Sequence, residues 1–233
     1  MEKVISLDNE ELELELEDCS DLKITLDNSA SLNLRLVSFS GEKNVKITAE
    51  IGSNSVLNVT YADFSKENVN VLSNVNLVKE GAKCDWHLAT LSNGSVVKTF
   101  DVSFNHLVGK TVASMDNYGV AKDSSKIVFT GVNHILKGAK GSDTKQNAKI
   151  IVFDEKAQGI ASPALRIDEN DVKASHGAVV GQLNNEHMFY LMSRGLSRDE
   201  ARNIITLGYL DPISRKFSDK LREKIADTIR GLI

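Results

Sequence analysis

From residue 11 to residue 167, apolar side chains recur at every second position in short runs whose centres fall roughly ten residues apart. Leu12, Leu14 and Leu16 alternate with Glu11, Glu13, Glu15 and Glu17. Leu22, Ile24, Leu26, then Leu32, Leu34, Leu36, then Leu57, Val59, Tyr61 continue the pattern. Phe100, Val102, Phe104, then Ile127, Phe129, then Leu165, Ile167 carry it to the end. A period of two sends successive side chains to opposite faces of an extended chain, so each run reads as a half-buried strand. The separators are polar and small, for example Asp27-Asn28-Ser29, Gly52-Ser53-Asn54 and Ser92-Asn93-Gly94. Many short strands at even spacing point to a sandwich, a barrel or a β-solenoid.

Two observations bear on that choice. Tight-hairpin signals are nearly absent, with Asn93-Gly94 the single Asn-Gly pair, whereas an antiparallel meander of this length needs several. Proline is scarce as well. Pro163 and Pro212 are the two prolines in 233 residues, where ordinary usage gives roughly a dozen. Each coil of a solenoid lies between two neighbours, and a proline in such a central strand deletes a rung of the ladder. The pattern therefore favours a parallel β-helix, with a coil of about 20 residues built from two strands and their turns. An antiparallel sandwich stays open on pattern alone.

The texture changes after residue 184. Glu186 to Arg194 reads as a helix stopped by Gly195, because glycine takes the left-handed C′ conformation without steric cost. Ser197-Arg198-Asp199-Glu200 is a capping box for a second helix carrying Ala201, Ile204 and Ile205 and ending near Gly208. Asp211-Pro212 is expected to open a third, with proline at N1 and an apolar stripe of Phe217, Leu221, Ile225 and Ile229. The expected division is a β body over 1–184 and a helical region over 185–233.

Composition narrows the function classes. Charged groups number 28 basic and 32 acidic, a net charge of −4. Residues 1–21 hold nine acidic groups against Lys3, a local −8, and residues 212–233 hold six basic against three acidic, a local +3. No basic stripe interleaved with aromatics exists, so nucleic-acid binding is not expected. No apolar run reaches the roughly 18 to 20 residues that span a bilayer, and the start has no secretory pattern; a cytoplasmic, membrane-free protein is expected. Cys19 and Cys84 cannot form a disulfide framework or a four-ligand zinc site and are expected to be reduced and buried. The glutamates at 11–17 read as the solvent face of an edge strand. No phosphate-binding glycine loop, nucleophile elbow, HExxH or CxxC is present. His87, His106, His134, His176 and His187 are scattered, with no local metal-pair spacing.

One segment is more specific. Asp171-Val172-Lys173-Ala174-Ser175-His176-Gly177-Ala178-Val179-Val180-Gly181 is followed by Phe189-Tyr190-Leu191-Met192-Ser193-Arg194-Gly195. With Pro163 to Ile167 upstream, and weaker echoes at Val128–Val132 and Ser142–Asn147, this resembles the SufB/SufD family of iron–sulfur cluster assembly scaffolds, the SufD type more than the SufB type. The resemblance covers about residues 126–210.

The resemblance implies a right-handed parallel β-helix with a small C-terminal helical region. It implies pairing through the β-helix with a SufB-type subunit or with a second copy. It also implies docking of a SufC-type ABC ATPase on the helices, through Phe189, Tyr190, Leu191, Ser193, Arg194 and Gly195. His176 falls at the family's SHGA histidine, implicated in cluster assembly at the paired interface. It is the one local candidate ligand for iron, since a neutral imidazole suits that metal. No tightly bound cofactor is implied, only a transient cluster at the interface, and the role is a scaffold's rather than an enzyme's. Two departures stand out. Ala174 occupies the place of the usual SufD-type cysteine, and Gly177 follows the histidine where SufB-type proteins carry glutamate. For His176 the plainer alternative is that Gly177 and Gly181 allow a sharp exit from the last coil and His176 caps that turn. The rival readings of function are a structural SufB/SufD-type homodimer without cluster chemistry and a β-helix carbohydrate-active enzyme.

Overall fold

The computed structural model describes residues 2–6, 10–16, 21–41 and 43–232, the first of these segments as backbone. Cys19 and Glu17 lie outside the described residues. Among the described residues, fourteen strands, all parallel to their neighbours, form two seven-stranded sheets. The odd sheet holds β1 (Glu2–Ser6), β3 (Asp21–Leu26), β5 (Lys43–Ile51), β7 (Val69–Leu77), β9 (Val97–His106), β11 (Lys126–Ile135) and β13 (Gln158–Ile167). The even sheet holds β2 (Glu10–Glu15), β4 (Ser31–Ser38), β6 (Val56–Asp63), β8 (Lys83–Ser92), β10 (Val112–Ala121), β12 (Asp143–Val152) and β14 (Lys173–Gln182). The chain alternates between the sheets, so successive strands wind a parallel β-solenoid and the sandwich is excluded.

The coil is longer than the ~20 residues that two short strands with turns suggest. Asn58 sits 25 residues after its partner Asn33, and Asn147 sits 31 after Asp116. The reason is strand length, since β8 to β14 each run ten residues. Coils are registered by stacked corners. Ser29, Asn54, Gly81 and Lys110 all take positive φ, and each backbone amide donates to a carbonyl at the corner of the next coil. Gly81, at φ +78°, suits its corner because a Cβ there would press on the Asn54 side chain.

Between the sheets, alternating residues form one apolar column. Its centre is an aromatic stack: Tyr61 lies parallel to Trp86 with centroids 6.5 Å apart, and Phe100 meets Tyr61 and Phe129 edge-on at 5.9 and 5.8 Å. Cys84 is a free, fully buried thiol in this column. Pro163 lies in the middle of β13 rather than at a strand entry. It is tolerated because β13 is the last strand of its sheet, with no further coil requiring its amide.

Three helices follow: α1 (Asn185–Ser193), α2 (Arg198–Ser214) and α3 (Asp219–Gly231). Gly195 closes α1 at φ +96°, and the Ser197–Glu200 capping box opens α2. The expected break at Asp211-Pro212 does not occur. Pro212 sits inside the last turn of α2, and α3 starts after Ser218. Proline there removes only one helical hydrogen bond, while continuing the helix buries Leu210 and Ile213 against Val37, Ala62, Ala89, Leu91 and Val120 of the even sheet. Packing outweighs the local preference.

The glutamate run does more than blunt an edge. Strand β2 is indeed the edge of the even sheet, yet Glu13 accepts from the Ser218 amide and hydroxyl at 2.9 and 2.5 Å. Glu15 takes both 2.8 Å bonds from Lys224, whose ammonium also sits 4.2 Å from the Phe39 ring centroid. The acidic start and basic end of the chain meet in this clasp. At the other end of α3, Lys122 donates to the Leu232 carbonyl at 2.8 Å, satisfying a terminal acceptor and the negative end of the helix dipole. Glu13→Ala is expected to lower stability by about 1 kcal/mol, roughly 2–4 °C in Tm. An unchanged melting curve would show that apolar packing alone seats α3.

Candidate functional site

His176 lies in mid-strand on β14, in register with Gln146 of β12. Gln146 points into the column, where its amide donates to the Ala164 carbonyl at 2.9 Å. Parallel in-register strands keep side chains on a common face, so His176 continues an interior row. It is nonetheless exposed, because no coil follows to cover it. It makes no hydrogen bond or ion pair among the described residues. The turn-capping alternative is thereby corrected: Gly177 and Gly181 are strand residues without positive φ, and His176 borders no turn.

The last coil is open on both edges. Strands β13 and β14 each terminate a sheet, leaving a row of backbone donors and acceptors unpaired by any neighbouring strand. Ile160 and Ile167 on β13, with Val179 and Val180 on β14, are exposed there. The interior beneath is unusually polar: Asn133 donates to Thr144 at 2.7 Å, and Gln146 follows. Toward the other end, among the described residues, Leu12, Leu14 and Leu16 face the column instead. Ala174 continues the row of Thr144 and offers no ligand atom. Among the described residues no cluster of three or more His, Cys, Asp or Glu could hold a metal ion.

The helical candidates form a second region. Met188 buries the inner face of α1, while Phe189 is 75% exposed and Tyr190 and Met192 are also exposed. Leu191 is half-buried. Arg194 lies 5.3 Å from the Tyr190 ring centroid, and the Ser193 hydroxyl donates to the Tyr190 carbonyl at 2.8 Å. A groove of about 390 Å³ runs beside this helix, lined by Phe153, Asp154, Leu183, Met188, Phe189, Met192 and Arg198. Asp154 is held there by Arg202 at 2.7 Å and by the Asp123 amide, which keep its carboxyl below the usual range against the opposing effect of burial. His176 and this groove are separate sites: six residue steps along β14, roughly 20 Å, separate His176 from Gln182, which lines the groove. Val179, Val180 and Ile204 belong to the motif and the second helix read from the sequence, but their exposure as apolar positions is not expected there; the Val-Val pair breaking the alternation is the available signal.

Comparison with known proteins gives this geometry its context. The SUF system FeS cluster assembly SufBD core domain matches residues 13–209. The chain belongs to the SufB/SufD family. The iron–sulfur cluster assembly protein SufD of Bacillus subtilis is 33% identical over 138 residues, which cover 59% of this chain and 32% of that protein. A SufBD family iron–sulfur cluster assembly protein of Staphylococcus saprophyticus is 26% identical over 143 residues, covering 61% of this chain and 31% of that protein. The match thus spans about a third of each relative's length. This SufB/SufD protein is SufD-like, and among its described residues no helix is long and apolar enough to cross a membrane.

Proposed function

We propose that this SufB/SufD-type iron–sulfur cluster assembly protein works as a scaffold subunit. It pairs through its open last coil and docks a SufC-type ATPase on its C-terminal helices. The observation that carries the reading is the open coil, with two unpaired edge strands flanking an unpartnered His176. A partner solenoid, either a SufB-type subunit or a second copy, completes the interrupted ladders and covers Val179 and Val180. His176 then stands at the seam. It brings one imidazole, so further ligands for a nascent cluster come from the partner, in keeping with alanine at 174. The ATPase docking rests on the surface of exposed Phe189, Tyr190, Ser193, Arg194 and Gly195 with half-buried Leu191, and on its groove, since large aromatic residues beside arginine supply the anchors of protein interfaces.

Reconstitution with separately expressed SufC-type and SufB-type subunits tests the proposal. Co-purification is expected, with Phe189→Ala weakening ATPase binding roughly thirtyfold as for an anchoring residue. His176→Ala is expected to keep the complex and lower the yield of assembled cluster. Absence of any complex would overturn the docking assignment. Unchanged cluster yield would leave the structural homodimer as the better description.

A further inference from the structure

A cleft of about 360 Å³ lies where the outer face of the even sheet meets the end of α2, away from both regions above. Two register rows make its floor. Asn33, Asn58 and Asp85 form one, and Arg35, Thr60 and His87 the next. Arg215 and Lys216, just past α2, form a wall. The lining therefore holds three cations and an imidazole against one carboxylate, in a chain whose net charge is −4.

Of the three cations, only Lys216 lacks a carboxylate partner among the described residues. Arg35 holds the exposed rim residue Glu11 at 3.2 Å, and Arg215 holds Asp211 of its own helix at 2.5 Å. Lys216 has no carboxylate or hydrogen-bond partner for its ammonium among the described residues. His87 is largely buried, and its Nδ1 makes no hydrogen bond; the Asp116 carboxylate stands 3.9 Å away. Asp85 is bonded to the Ser114 hydroxyl.

We propose that this cleft binds a phosphate group, with Lys216 supplying the unpaired charge, Arg215 and Arg35 further guanidinium donors, and His87 and Thr60 directed polar contacts. Asp85 sets the specificity. A carboxylate accepts hydrogen bonds and donates none, so it welcomes an oxyanion that still carries a proton and repels one that does not. Phosphate is protonated near neutral pH and sulfate is not. The volume leaves room for a small organic substituent, but a phosphomonoester has lost most of its last proton near neutral pH, so the free ion suits Asp85 better.

Titration of the intact protein with sodium phosphate, sodium sulfate and glycerol 3-phosphate at matched ionic strength tests this, read by the His87 imidazole NMR signals. Saturable phosphate binding is expected, with sulfate at least tenfold weaker. Glycerol 3-phosphate, mostly without a proton at neutral pH, is expected to bind more weakly than phosphate, and tighter binding would overturn the proton-selective role of Asp85. Lys216→Ala, at an exposed position with nothing to lose in the fold, is expected to weaken phosphate about tenfold, as does loss of one charged hydrogen bond. His87→Gln, followed by thermal shift, provides the second variant. No saturable response, equal affinity for sulfate, or full affinity in Lys216→Ala would each overturn the assignment.

Discussion

Asp63→Ala is expected to destabilise the protein by about 3–5 kcal/mol, the cost of stranding a buried charge. Lys98 enters the interior from β9, and both it and Asp63 are fully buried. Its ammonium is saturated: Asp63 Oδ1 at 2.6 Å, the Ser65 carbonyl at 2.8 Å and the Leu91 carbonyl at 2.8 Å take its three protons. Asp63 Oδ1 also accepts from the Ser65 amide and hydroxyl, which ties two corners of the coil together. Burial drags the Lys98 pKa downward while the Asp63 carboxylate opposes it. Lys98→Met is expected to cost a comparable amount by isolating the carboxylate. The double variant Asp63→Ala/Lys98→Met is expected to cost clearly less than the sum, because no charge is then left unmatched. Urea unfolding of the four proteins measures the coupling, and strictly additive losses would refute it.

His106 is expected to make the protein acid-sensitive before its carboxylates do. The side chain is fully buried at the end of β9, with Nδ1 2.8 Å from the Thr111 hydroxyl, which in turn meets Ser142 at 2.9 Å. Burial pushes its pKa from 6.5 down to about 4. Above pH 6.5 the imidazole is neutral in both folded and unfolded chains and nothing changes. As pH falls below 6.5 the unfolded chain takes up a proton that the folded chain refuses, so stability is lost until the folded state also protonates near pH 4. The shift corresponds to about 3 kcal/mol across that window. His106→Gln cannot titrate. Its deficit relative to the parent is expected to shrink by about 2 to 3 kcal/mol between pH 7 and pH 4.5 in chemical denaturation. Parallel pH profiles for the two proteins would contradict the assignment.

Much of this fold was legible before any coordinates. Period-two alternation survives because each strand packs one face against a column only two side chains thick, so Phe100, Val102 and Phe104 have no choice of side. Missing hairpin turns and missing prolines are both consequences of parallel stacking, in which each interior coil hydrogen-bonds on two sides. Coil length was less legible, since a turn consisting of one residue at positive φ, such as Lys110, leaves no mark in the sequence. The end of α2 misled for a related reason: Pro212 states a local preference that burial of Ile213 overrides. At the candidate site, the motif around His176 was readable from its order of residues. That His176 stands uncovered on the final coil was not, because exposure there depends on nothing following β14 in the stack.

The amino-acid sequence by itself determined the strand periodicity, the helical region after residue 184, the Ser197 capping box and the membership that its SHGA and FYL-SRG motifs announce. These are properties of neighbours in the chain, written within a few residues of each other. The clasp of Glu13 and Glu15 on α3, the buried Lys98–Asp63 pair and the cleft gathering Arg35, His87 and Lys216 were decided by tertiary structure. Their members lie between 35 and more than 200 positions apart, as for Lys98 with Asp63 and Lys224 with Glu15. Only the winding of the solenoid and the return of its helices across one sheet bring such charges close enough to neutralise one another, or to leave one in surplus.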